Sequence, residues 1–82
     1  MPTPAHNEPR LVSYEGRRIS VRTQSVDNGL YVVAALGVWS ENEGRQRGYT
    51  RLLAPDGEFN SREEAHAAGV LAGQRAIDHG LA

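Results

Sequence analysis

Histidine is the residue of this chain whose side chain titrates nearest to neutral pH, and in the absence of cysteine it would be a main metal ligand. The chain has three histidines: His6, His66 and His79. His6 precedes the first regular pattern, and thirteen residues along a helix would place the other two on different faces, about 20 Å apart. This spacing predicts solvated or cap-adjacent histidines and no metal site.

Nucleophilic and carboxylate chemistry are not indicated either. Two carboxylate pairs occur, Glu41 with Glu43 in a polar loop and Glu63 with Glu64 at the start of a helix. The serines stand in no recognisable nucleophile motif: Ser13, Ser20, Ser25, Ser40 and Ser61. The sequence therefore predicts a domain that is not an enzyme and has no cofactor.

Length and composition narrow the remaining choices. With 82 residues and no cysteine, the chain should form one domain with a thin core, stabilised by apolar packing or by a partner. All nine basic residues are arginine, a bias that we expect from a GC-rich bacterial genome. The net charge of −1 does not attract nucleic acid or anionic lipid to the molecule as a whole. No signal peptide or membrane span is indicated, so we expect a soluble, cytoplasmic protein without a membrane partner.

Residue periodicity predicts a three-stranded antiparallel meander. Residues 1–12 hold three of the four prolines and are expected to form a flexible tail, which leaves residues 13–82 as the domain. Polar and apolar residues alternate over 18–23, an Asp-Asn-Gly turn follows at 27–29, and residues 30–39 are nearly all apolar. Residues 45–53 are predicted to form the third strand, followed by a Pro-Asp-Gly turn.

One helix should follow the sheet, from Arg62 to His79. Ser61 and Glu64 form a capping box, and Gly80 is placed to end the helix. The face expected to pack consists of small residues: Ala65, Ala68, Gly69, Ala72 and Ala76. The prediction is an α+β fold of two layers, in which this C-terminal helix covers one face of the three-stranded sheet.

Strand alternation divides the sheet residues between two faces. The set expected to face the helix is Ile19, Val21, Val32, Ala34, Leu36 and Leu52. The opposite face should combine aromatic and basic side chains with small ones: Arg18, Ser20, Arg22, Tyr31, Val33, Ala35, Tyr49 and Arg51. From this face we take Arg18, Arg22, Tyr31, Tyr49 and Arg51 as the candidate binding residues.

Three interpretations of that face remain open. A homodimer interface or a docking surface for another protein is the leading one, because aromatic and arginine side chains often anchor interfaces. Single-stranded nucleic acid is the alternative, with bases stacking on tyrosine rings and phosphates pairing with guanidinium groups. Arginine stems covering tyrosine rings in water would give the same pattern without any partner.

Three segments carry a resemblance to a group of small uncharacterised bacterial β-β-β-α proteins. Residues 14–21 match an opening strand of the form Y-x-G-x-x-I-x-V, residues 27–32 match a D-x-G-x-Y-V hairpin, and residues 59–65 match an aromatic followed by S-R-E-E-A. The resemblance implies the sheet-plus-helix fold and carries no assigned activity. The layout is also similar to double-stranded-RNA-binding domains, but Glu63 and Glu64 stand at the helix start, where such RNA binders are basic.

Overall fold

The computed structural model describes residues 9–41 and 47–81 as four antiparallel strands followed by one α-helix. The elements are β1 (Arg10–Tyr14), β2 (Arg17–Val26), β3 (Leu30–Glu41), β4 (Arg47–Leu52) and α1 (Arg62–Asp78). The strands lie in chain order, β1-β2-β3-β4, and α1 packs over β2 and β3 on one face. The predicted α+β class with a C-terminal helix is confirmed. Within the described ranges, no helix has the length and apolar character needed to cross a membrane.

The predicted number of strands is wrong, because β1 precedes the three expected ones. Residues 10–12, which the sequence predicts to belong to the flexible tail, form the start of this strand. Residues 1–8 of the predicted tail lie outside the described residues. A two-residue turn at Glu15 and Gly16 joins β1 to β2, with φ of 51° and 78°. A hairpin turn of this kind needs positive φ at both positions and usually has asparagine or aspartate first. Glutamate at that place concealed the hairpin.

The pairing of β2 with β3 contains a β-bulge. Arg22 lies opposite Ala35, but the next residue, Thr23, lies opposite Val33, so Ala34 has no partner. Because one residue is inserted, the alternation of β3 reverses at this point. Val33 is therefore 6% exposed in the core. The expectation that Val32 and Ala34 face the helix, and Val33 the other side, is wrong for this reason.

Small residues let α1 approach the sheet closely. Gly69 lies so near Val21 that a Cβ added to it would stand 2.6 Å from Val21 Cγ1. One turn further along, a Cβ on Gly73 would stand 2.5 Å from Ile19 Cγ2. These two β2 side chains are among the most deeply buried in the described chain. The core thus includes β-branched side chains of β2 packed against two glycines of α1.

The ends of α1 follow the predicted signals. The Ser61 Oγ accepts a hydrogen bond from the Glu64 N–H at 3.1 Å, as the capping box predicts. The Glu64 carboxylate accepts from the N–H of Asn60 at 3.2 Å instead of from Ser61. The helix ends at Asp78, and Gly80 follows with φ of 75°.

Candidate functional site

The sheet face turned away from α1, called the open face below, holds four of the five predicted binding residues. Tyr49 and Arg51 reach it from β4, and Arg18 and Arg22 reach it from β2. Residues that lie opposite one another on neighbouring strands form a row across the sheet. Arg18 and Tyr49 both lie opposite Trp39, Arg51 lies opposite Gly37, and Arg22 lies opposite Ala35. Three arginines and one tyrosine are therefore brought to one surface.

Tyr31 does not lie on this face. It precedes the bulge at Ala34, where the alternation of β3 reverses, so it points toward the helix layer and packs against the core. The Arg62 guanidinium lies 5.0 Å from the centre of its ring. Its backbone exchanges two hydrogen bonds with Phe59, at 2.9 and 2.7 Å. The placement of Tyr31 on the open face is corrected, and its role here is to hold the start of α1 against β3.

The second aromatic residue of the open face is Trp39 and not Tyr31. It is the Cα partner of Tyr49, and the two ring centroids are 4.7 Å apart with an angle of 49° between the planes. Both rings are accessible, since Trp39 is 37% and Tyr49 45% exposed. We call these two residues the aromatic pair. Trp39 is absent from the predicted site because residues 30–39 have the composition of a buried strand. The signal available was strand alternation, because Trp39 stands two residues after Gly37 and four after Ala35, on the same face of β3.

A glycine positions the Tyr49 ring. On Gly37, which lies opposite Arg51, a Cβ would overlap the Tyr49 hydroxyl and the adjacent ring carbons. The ring therefore lies along the sheet, from the row of Trp39 across the row of Gly37. The ring is 45% exposed in this position, so part of its surface is accessible for stacking.

A groove of about 370 Å³ continues from the end of the Tyr49 ring. Its floor includes the bulge alanines, Ala34 and Ala35, and it extends to Leu53, just after β4. Leu53 is 91% exposed, the highest value among the large apolar side chains of the described residues. Two arginines, Arg22 and Arg51, also line this bulge groove. Its lining thus combines small apolar floor residues with cationic groups.

Charge is divided unevenly between the two sides of the molecule. Among the described strand residues the only acidic one is Glu41, which ends β3 opposite Arg47. The other acidic residues of the described ranges belong to turns, loops and α1: Glu15, Asp27, Asp56, Glu58, Glu63, Glu64 and Asp78. The three open-face arginines therefore form a local cationic surface on a chain with a net charge of −1. An anionic ligand meets a favourable field there.

The titratable groups with perturbed pKa lie on the helix side. The Tyr14 hydroxyl donates to the Asp78 carboxylate at 2.9 Å, and this hydrogen bond raises the pKa of the tyrosine. Desolvation, followed by the charge of Arg10, lowers the pKa of His66. His66 Nδ1 is buried without a hydrogen-bond partner. These contacts join the helix to β1 and lie on the side opposite the open face.

Within residues 9–41 and 47–81, no group of three or more histidine or acidic side chains is arranged to hold a metal ion. His66 lies in α1, and His79 directly follows its last residue. His6 lies outside the described residues. The side-chain chemistry concentrated on the open face is stacking and cationic pairing.

Comparison of the chain with known protein families, with curated proteins and with solved structures finds no match. The resemblance to small uncharacterised β-β-β-α proteins therefore stays a prediction.

Proposed function

We propose that this protein binds single-stranded nucleic acid on its open face. The observation that carries the proposal is the solvent-accessible aromatic pair, Trp39 and Tyr49, on a sheet face that also has three arginines. Exposed rings and cations on one surface match the two chemical components of a nucleotide, the base and the phosphate.

Each component of the surface has a separate task. A base stacked on an aromatic side chain contributes about 1–3 kcal/mol, and every base offers a π-face, so sequence preference should be weak. Since the two rings are tilted by 49°, a single base lies flat on only one of them. The arginines Arg18, Arg22 and Arg51 are placed around the rings to pair with the backbone phosphates.

Charge complementarity favours this partner over a second copy of the chain. Two copies packed through their open faces would bring the arginines of β2 and β4 together. Like charges held together at an interface cost several kcal/mol. The net charge of −1 weighs less, because charges on the opposite side of the molecule are largely screened at physiological salt.

The test uses the single tryptophan of the chain, Trp39, as the reporter of its own site. Oligothymidylate and oligouridylate are titrated into the protein while tryptophan fluorescence and the anisotropy of a labelled oligonucleotide are recorded. Stacking should quench the tryptophan. If three phosphate contacts form, the affinity should fall about 40-fold between about 50 and 300 mM salt, because counterions are released on binding.

Two variants test the open face, and the first has a matched control on the helix side. Arg51→Ala should weaken binding and reduce the salt dependence by about one phosphate contact, whereas Arg75→Ala, exposed on α1, should leave both unchanged. Tyr49→Ala should remove most of the affinity. The proposal is contradicted if no oligonucleotide changes either signal at low salt. A concentration-dependent doubling of mass that Tyr49→Ala abolishes would instead assign the open face to self-association.

A further inference from the structure

We infer that the bulge groove is a second base subsite, so that a bound strand runs along β3 from the aromatic pair to the groove. This inference rests on the proposed nucleic-acid binding and adds the path and the length of the bound segment. It begins with the bulge, which places Ala34 and Ala35 side by side at the groove and leaves a depression where larger side chains would fill the surface.

Three successive rows of the open face define the path. The first contains Arg18, Trp39 and Tyr49, the second has Arg51 opposite Gly37, and the third has Arg22 opposite Ala35. The arginines of the first and third rows belong to β2, and the arginine of the second belongs to β4. A strand laid over β3 therefore passes between cations on its two sides. A path across the strands through the second row meets Leu11, Ser20 and Gly37, and no aromatic residue belonging to that row.

The groove suits the base and the phosphate of one nucleotide. Its volume of about 370 Å³ lies within the range of about 300–1,000 Å³ that is typical of small-molecule sites. The alanine floor and the exposed Leu53 offer apolar contact to a flat ring. Arg22 and Arg51 line the same groove and can reach its anionic group. Tyr49 borders the groove as well, which makes the surface continuous with the aromatic pair.

Strand geometry sets the length of the bound segment. Trp39 and Ala35 are four residues apart on β3, which corresponds to about 13 Å at about 3.3 Å per residue. A stacked single strand advances about 3.4 Å per nucleotide, and a strand spread over a protein surface advances farther. The two subsites should therefore be occupied together by a segment of about three to five nucleotides.

The experiment measures binding of the full chain to oligothymidylates of about two to ten nucleotides, using quenching of Trp39 and competition with a labelled oligonucleotide. Affinity should rise about tenfold or more between two and five nucleotides and then level off. Leu53→Glu places a negative charge at the rim of the groove and should remove this gain while quenching by the shortest oligonucleotide persists. Leu81→Glu, an exposed leucine beyond the groove, is the matched control.

A second variant, Ala35→Leu, fills the floor of the groove and should also flatten the length dependence, provided its circular dichroism matches that of the unmodified chain. The inference is overturned if Leu53→Glu and Ala35→Leu bind every length as the unmodified chain does. If no oligonucleotide quenches Trp39 in the unmodified chain, the proposed function itself is contradicted. Thymidine monophosphate tests whether a free nucleotide binds as well as a strand does. If it saturates the protein at concentrations as low as those of the five-nucleotide strand, the path along β3 is overturned.

Discussion

The hydroxyl of Tyr49 occupies the space above Gly37 in which any other residue would place its Cβ. A residue of β4 thus uses the bare backbone of β3 as its support, and the ring is held beside Trp39 at a centroid distance of 4.7 Å. The accessible aromatic pair depends on this glycine, because a side chain at position 37 would push the Tyr49 ring off the sheet.

Gly37→Ala should separate the stability of the domain from the geometry of the site. Alanine in a strand interior is favoured over glycine by about 0.5–1 kcal/mol, and loss of the aromatic contact costs about 0.5–1.5 kcal/mol. The free energy of unfolding should therefore change by less than about 1 kcal/mol. The Trp39 emission spectrum should shift and oligonucleotide affinity should fall, as measured by fluorescence titration.

Gly48→Ala is the matched control for this substitution. Gly48 also belongs to the sheet, but a Cβ there would lie 3.5 Å from Ser40 Oγ, which is an ordinary contact. The control should keep the unmodified emission spectrum and affinity. If both variants behave alike, the position of the Tyr49 ring does not depend on Gly37.

Gly69→Ala tests the close approach of α1 to β2. The substitution gains about 1 kcal/mol of helix propensity, but its Cβ would lie 2.6 Å from the rigid Val21 side chain. Overpacking of this kind costs about 1–3 kcal/mol, so after the gain in helix propensity urea denaturation should show a net loss of up to about 2 kcal/mol.

A double-mutant cycle identifies the cause of that loss. In a Val21→Ala background the obstructing methyl groups are absent, so Gly69→Ala should there stabilise the domain by up to about 1 kcal/mol. Equal destabilisation in both backgrounds would show that Val21 is not the obstacle.

Much of this architecture could be predicted because local signals decided it. The Ser61 cap, the turn at 27–29 and the small-residue face of α1 each follow from the chemistry of a few neighbouring residues. The faces of β3 could not be predicted in full, since the bulge at Ala34 depends on how two strands pair. That one inserted residue exchanged the faces of Tyr31 and its neighbours, and the uniform composition of residues 30–39 concealed the exposure of Trp39. The three arginines of the site keep their predicted face because they lie on β2 and β4, where the simple alternation holds.

Tyr31→Ala should affect stability and not binding. The ring is half-buried against the core and interacts with the Arg62 guanidinium, so its loss should cost about 2 kcal/mol in chemical denaturation. In the absence of denaturant, where the variant is folded, fluorescence titration should give the same affinity as for the unmodified chain. Tyr49→Ala should give the reverse pattern, with a small change in stability and a large loss of affinity. A Tyr31→Ala protein that is fully folded but cannot bind would place this ring in the site.

Stability should decrease as the pH falls through the range in which His66 titrates. Burial and Arg10 lower the pKa of His66 in the folded chain below its ordinary value of 6.5, so the unfolded chain binds the proton more readily. The stability that this group contributes is therefore fully present above pH 6.5 and is lost as the pH falls from there to the lowered pKa. Below the lowered pKa, no further stability is lost through this group. Urea denaturation between about pH 7.5 and 5.5 should show this slope and avoids most carboxylate titration. His66→Gln should reduce the slope, and His79→Gln, a substitution at the exposed end of α1, serves as the comparison variant. An unchanged slope in His66→Gln would assign the pH dependence to other groups.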